Sequence, residues 1–208
     1  MRYVLLLFTL ASAADADWRL AVGFGTAFSL PTRLAIRQQG EPDISLTARY
    51  DTRPLAEVPY YDIRVERYDR AGAWELELVH HKLYLKNRPA EVAMFEITHG
   101  YNLIVANRSV VLRGFDLRFG AGMVLAHPET EIRGRKFDET RGILGTGWYA
   151  SGVAAQAASG RRFRLGEHWS VGVEAKLTGA LARVPVVDGT ADVPNIALHV
   201  QLGGGYRF

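Results

Sequence analysis

The chain has 208 residues, of which 48% are hydrophobic and 23% charged, with a formal net charge of +3 and no cysteine. That length suits one domain, the missing cysteine excludes disulfide support, and no segment reaches the roughly 18 consecutive apolar residues of a transmembrane helix. The charge balance is too small to mark a nucleic-acid binder, so no nucleic-acid partner is expected.

The amino terminus reads as an export signal. Arg2 precedes the short apolar run Tyr3-Val4-Leu5-Leu6-Leu7-Phe8, and small residues continue to Ala16, with A-x-A sites at Ala11-Ser12-Ala13 and Ala14-Asp15-Ala16. A basic start, a brief hydrophobic core and small residues at the cut describe a cleaved signal peptide over residues 1–16, which leaves 17–208 as a single domain.

From there the chain alternates with a period of two, the signature of strands with one apolar face. The first expected strand, Trp18 to Ser29, places Trp18, Leu20, Val22, Phe24 and Phe28 on one face. Arg19, Ala21, Gly23, Gly25 and Ala27 lie on the other. Residues 30–59 carry Pro31, Gly40, Pro42, Pro54 and Pro59 and read as a long loop, within which Ile44 to Tyr50 alternates as a strand extension. Strand two, Tyr60 to Tyr68, sets Tyr61, Ile63 and Val65 against Asp62, Arg64 and Glu66. Strand three, Trp74 to Lys86, sets Trp74, Leu76 and Leu78 against Glu75 and Glu77. In strand four, Met94 to Ala106, the apolar residues Phe95, Ile97, Tyr101, Leu103 and Val105 are assigned outward.

Strand five, Phe115 to His127, turns Asp116, Arg118, Gly120, Gly122 and Val124 inward. Strand six is the Ala-rich Gly147 to Gly160, followed by a turn over Arg161 to Glu167. Strand seven, Trp169 to Ala182, opposes Val171, Val173, Ala175 and Leu177 to Gly172, Glu174, Lys176 and Thr178. The last sixteen residues, Val193 to Phe208, keep Ile196, Leu198, Val200, Leu202, Tyr206 and Phe208 on one face, with His199 and Gln201 on the other.

The expected fold is therefore all-β: an eight-stranded antiparallel up-and-down transmembrane β-barrel of the bacterial outer membrane. An even strand number returns the chain to the periplasmic side. The turns after strands two, four and six are short, while the loops after strands one, five and seven are longer. A soluble lipocalin-like barrel would carry its apolar residues inside; here acids and bases fill the inner face. Such a barrel implies outer-membrane lipid and lipopolysaccharide as surroundings, the barrel assembly machinery as its partner in biogenesis, and a monomer.

Eight strands leave a lumen just wide enough for side chains to fill. Buried charges must be paired, so Arg19, Arg64, Glu66, Glu75, Glu77, Asp116, Arg118, Glu174 and Lys176 make either a salt-bridged plug or a site. His80, His81, His127 and His199 fall toward the outer half, while His99 sits on the outward face of strand four for no reason visible in the sequence. His80, His127 and His199 are the candidate ligands for a divalent metal. His80, Lys82, Tyr84, Glu174, Lys176 and His199 are the candidate catalytic groups for acid–base chemistry, with Glu129 and Glu131 as neighbours. His80, Lys82 and Tyr84 share parity with lipid-facing residues, so the strand either has left the membrane there or is bulged. The outer loops hold Arg33, Arg37, Arg49, Arg53, Lys86, Arg88, Arg133, Arg135, Lys136 and Arg141, which suit the phosphates of lipopolysaccharide.

Several segments resemble a known family: Pro59-Tyr60-Tyr61, Glu77 to Tyr84, Ile97 to Leu103, Gly120-Ala121-Gly122 through His127-Pro128, Glu174 to Thr178, and Asn195 to Phe208. In that order they are similar to small outer-membrane barrels that include the rhizobial lipid A oxidase. The resemblance implies an enzyme that oxidises the proximal glucosamine of lipid A with oxygen and a divalent metal. It directs attention to His80, Lys82, Tyr84, Glu174 and Lys176. The alternative is a non-enzymatic structural or interaction barrel, similar to OmpX, with a closed lumen.

Overall fold

A computed structural model describes residues 17–208 apart from Glu57 and Glu139, so the expected signal peptide lies outside the described residues. Sixteen strands follow one another: β1 (Trp18–Ser29), β2 (Thr32–Gln38), β3 (Ile44–Ala48), β4 (Tyr50–Asp51), β5 (Tyr61–Asp69), β6 (Gly72–His80), β7 (Leu83–Leu85), β8 (Val92–Ile97), β9 (Tyr101–Leu112), β10 (Phe115–Ala126), β11 (Glu129–Ile132), β12 (Arg135–Lys136), β13 (Tyr149–Leu165), β14 (Trp169–Val186), β15 (Gly189–Asp192) and β16 (Asn195–Arg207).

Eight of them form the expected ring. The order β13-β10-β9-β6-β5-β1-β16-β14 is closed by pairing of β13 with β14, and every contact is antiparallel. Paired residues can be followed once around: Arg19, Glu66, Glu75, Asn107, Gly120, Gln156, Thr178, Ala197, then Ser29. The path returns to β1 ten residues above its start. That stagger tilts the strands by about 40° and sets a narrow barrel.

The wall has the polarity of a membrane-spanning barrel. Phe24, Phe119, Trp74, Leu76, Val153, Trp169, Leu177 and Leu202 are all exposed on the outside, while Arg19, Arg64, Glu66, Glu75, Glu77, Arg118 and Lys176 are buried inside. Every ring strand exchanges its hydrogen bonds with two neighbours, so no backbone edge faces lipid.

Above this belt the polarity reverses, and β14 shows the change within one strand. Its lower half points Ser170, Gly172, Glu174, Lys176 and Thr178 inward; its upper half points Ala180, Ala182, Val184 and Val186 inward and Arg183 outward. The inner residues of the upper region form one apolar core with Leu34, Ile36, Ile44, Leu83, Val92, Phe95, Ile97, Tyr101 and Ile132. Each large side chain buried there contributes about 1.5–3 kcal/mol. Two further sheets build this extension. One continues β14 through β15 to the hairpin of β2 and β3; the other runs β12-β11-β8-β7-β4. The long loop read over residues 30–59 is thus largely ordered strand, including the expected extension at Ile44.

Strands four and six also depart from expectation. The apolar face of strand four points inward, not outward: Tyr101, Leu103 and Val105 are buried, and Ala106 and Val110 face out. Those residues belong to the extension core and to the top of the lumen, where the inside is apolar. Strand four is also divided at 98–100, where Gly100 has a φ of +139° and a Cβ would meet the Asn102 side chain at 2.2 Å. Strand six continues to Leu165, so Arg162 enters the lumen instead of a turn.

The lipid-facing assignment predicts that Leu202→Arg, deep in the apolar belt, destabilises the barrel in lipid vesicles by about 2–4 kcal/mol. A change within half a kcal/mol in urea titration would contradict the assignment. In the extension, Arg183 and Arg37, each 2.6 Å away, hold the Asp192 carboxyl below its ordinary value of 3.8. A carboxyl lowered in this way stabilises the folded form at pH values above 3.8, and that contribution disappears as the pH falls below it. Amide exchange, corrected for intrinsic rates, should accelerate in β2 and β15 through that window, and Asp192→Asn should remove the dependence.

Candidate functional site

The lumen is filled by a continuous ionic network. Arg118 binds Glu75 and Glu174. Arg64 reaches Glu174 at 3.2 Å, Asp62 at 3.3 Å and Glu77 at 3.4 Å. Lys176 binds Glu77 and lies 3.4 Å from Glu174. Asn107 and Gln156 donate to the same Glu77 carboxylate, at 3.0 and 2.5 Å. Nearer the turn end, Arg19 binds Glu66 at 2.6 Å, and Arg162 links Glu66 at 3.3 Å to Asp116 at 3.4 Å. Inside the ring, a cavity of about 50 Å³ lies among Gly23, Asp62, Arg64, Glu174 and Gln201, room for a few water molecules, and a wider space of about 260 Å³ opens at the turn end beside Arg19, Asp116, Arg162 and Ser170. Of the two arrangements open for the lumen charges, the ion pairs make the salt-bridged plug.

Two of the candidate catalytic residues, Glu174 and Lys176, are members of this plug. His199 caps it. Gln201 donates to the Tyr60 hydroxyl at 2.7 Å, the hydroxyl is hydrogen-bonded to His199 Nδ1 at 2.8 Å, and His199 Nε2 meets the Thr178 hydroxyl at 2.8 Å. Both ring nitrogens are used, and His199 is fully buried. His81 packs edge-on against it, with ring centroids 5.2 Å apart.

His80 lies at the end of β6, stacked on Tyr61 with centroids 4.8 Å apart, and its Nδ1 binds Asn102 Oδ1 at 2.8 Å. The strand breaks immediately after it, at His81 and Lys82, and resumes as β7 in the extension. Lys82 donates to the Ala56 carbonyl, and Tyr84 lies under the Arg53 guanidinium at 4.3 Å. The parity conflict at His80, Lys82 and Tyr84 is therefore resolved by a strand break.

His127 belongs to a second cluster, with His99 and Glu129, where β10 gives way to β11. Its backbone N–H donates to the Gly100 carbonyl at 3.1 Å, which ties the end of β10 to the turn before β9. The tie brings His99 to His127, with centroids 4.8 Å apart. Glu129 Oε1 accepts from the Thr98 hydroxyl, lies 2.8 Å from His99 Nδ1 and is 3.9 Å from His127 Nδ1. Trp148 closes one side, 5.4 Å from the His127 ring. Side-chain exposure grades from 10% at His127 through 18% at Glu129 to 53% at His99, so the cluster opens on the His99 side.

Of the three residues, His127 and Glu129 carry a signal in the sequence and His99 does not. His127 and Glu129 are two apart around Pro128, a visible spacing, whereas His99 joins them only through tertiary pairing. Many of the basic outer residues are neutralised locally: Arg37 by Asp192, Arg133 by Glu41, Arg135 by Asp188 and Arg141 by Asp138.

Removing one partner from a buried ionic network strands the others, at about 3–5 kcal/mol. Arg118→Ala should therefore destabilise the barrel by that amount in denaturant titration, while His168→Ala at an exposed turn stays within half a kcal/mol. Equal stabilities would show that Arg118 does not hold the plug.

No family model matches the chain, and no curated protein matches it. Among solved structures, AlkL, an outer-membrane protein, is similar with 16% identity and a TM-score of 0.49, over 95% of this chain and 94% of that one. Neisserial surface protein A gives 8% and 0.47 over 94% and 100%. OprG, an outer-membrane protein of Pseudomonas aeruginosa, gives 13% and 0.44 over 93% and 96%. The ring order, the apolar belt and the charged lumen are, in their own right, those of an integral outer-membrane β-barrel.

Proposed function

We propose that this barrel acts on lipid A at its external rim, as a modifying enzyme, with its lumen serving only as structure. The observation that carries this reading is the cluster of His99, His127 and Glu129 just beyond the ends of β9 and β10, partly open to the surroundings. Imidazole and carboxylate groups in that arrangement supply acid–base or metal-assisted chemistry. The end that bears them is the extended one, which the orientation expected for such barrels turns toward the lipopolysaccharide leaflet. The similarity of several segments to the lipid A oxidase family supports the same substrate. The ion pairs of the lumen support it indirectly, because charges spent on one another across the strands leave little for a solute path.

A non-enzymatic structural barrel is the second reading, favoured by the rigid plug and the apolar core of the extension. Mass spectrometry of lipid A from cells with and without the gene, grown aerobically, separates the two. The enzymatic reading expects a mass change that disappears with His99→Ala. Identical lipid A in both strains would sink it in favour of the structural barrel.

A further inference from the structure

We propose that His99, His127 and Glu129 form a binding site for one divalent first-row transition ion. The inference stands on the donor geometry and does not depend on lipid A being the substrate. One ligand atom from each residue lies within 4.8 Å of the other two. Donors around a single ion, each at about 2.0–2.2 Å from it, stand roughly 3–3.5 Å apart. The observed separations from Glu129 Oε1, 2.8 Å to His99 Nδ1 and 3.9 Å to His127 Nδ1, bracket that value. An ion bound there would take the place of the His99–Glu129 hydrogen bond.

A second observation points to a ligand. His127 Nδ1 is buried and makes no hydrogen bond, although it faces the same carboxylate oxygen. A buried imidazole nitrogen without a partner is costly, and coordination would satisfy it. Support from around the site is also present. The Thr98 hydroxyl orients the Glu129 carboxylate, Trp148 packs against His127, and the bond from the His127 backbone to Gly100 fixes the two histidines relative to each other. Such outer contacts hold ligands in position and tune the metal.

The donor set selects the ion class. Two imidazoles disfavour magnesium and calcium, which take oxygen ligands. Two histidines and one carboxylate suit iron(II), cobalt(II), zinc(II) and their neighbours, with further coordination positions left open. His99 is the most exposed of the three, so those positions face outward, away from the charged lumen.

The experiment is a cobalt(II) titration of the purified, folded barrel in detergent, followed by visible absorption and calorimetry, with strand content checked by circular dichroism. The expected result is one equivalent bound, with affinity falling about 100-fold or more in His99→Ala and Glu129→Gln, since even outer-shell losses cost 10–100-fold. His168→Ala should bind as the parent does. His99 is half exposed and Glu129→Gln nearly isosteric, so both variants should remain folded where His127→Ala risks instability. No binding by the parent at millimolar cobalt overturns the site, as does equal binding by the parent and both variants. Metal bound by the parent but not by His99→Ala, together with unchanged lipid A in cells, would sustain this site and reject the proposed function.

Discussion

The structure depends on charge compensation inside a space too narrow for water to provide it. Burial of a single ion costs several kcal/mol even after relaxation, and the lumen takes in Arg19, Arg64, Arg118 and Lys176 together with Glu66, Glu75 and Glu77. They are tolerated because the ten-residue stagger of the ring brings cation and anion from different strands to the same height. Arg118 of β10 meets Glu75 of β6 and Glu174 of β14, and Arg64 of β5 meets the same Glu174. Closure and pairing are thus one condition: a slip of one residue would turn every lumen charge into the lipid and every lipid-facing Val, Leu and Phe inward.

That condition governs only part of the barrel. In the membrane, apolar surface belongs outside and the lumen can be ionic. Above it, water lies outside and the interior must be apolar. β14 meets both demands as one unbroken strand, the residues on each face changing character between Lys176 and Val184, whereas the strands containing β6 and β9 are interrupted at the transition. His199, Tyr60 and Thr178 occupy the boundary between the regimes, a hydrogen-bonded layer between the ionic plug and the apolar core.

Most of this was legible in the sequence. All eight ring strands, and the inward face of seven, follow from alternation because lipid forbids charge on the outer side over many positions. Strand four failed for a physical reason. Alternation identifies a period, not a side, and Phe95, Ile97, Tyr101, Leu103 and Val105 line the apolar interior where the membrane rule no longer holds. The hairpin of β2 and β3 hid behind Pro31, Gly40 and Pro42, which mark its ends. Arg162 was misplaced because charge density near Arg161 and Arg164 imitates a turn. The site was half visible: His127 and Glu129 are near in sequence, but His99 reaches them only because the His127 backbone bonds to Gly100.

The same physics places chemistry at the rim. In the plug, Glu174 and Lys176 are held by Arg64, Arg118 and Glu77, so any change in their protonation would break several pairs at once. His199 has both nitrogens engaged and no exposure. Groups that are fully satisfied and sealed from substrate have neither access nor a free valence for catalysis. The groups with both lie where β9 and β10 leave the ring: a buried nitrogen without a partner on His127, a carboxylate oxygen shared by the Thr98 hydroxyl and the His99 imidazole, and a half-exposed imidazole on His99. An ionic lumen stabilises the barrel, and the interruptions of its strands create a place where imidazole and carboxylate groups converge within reach of the surroundings.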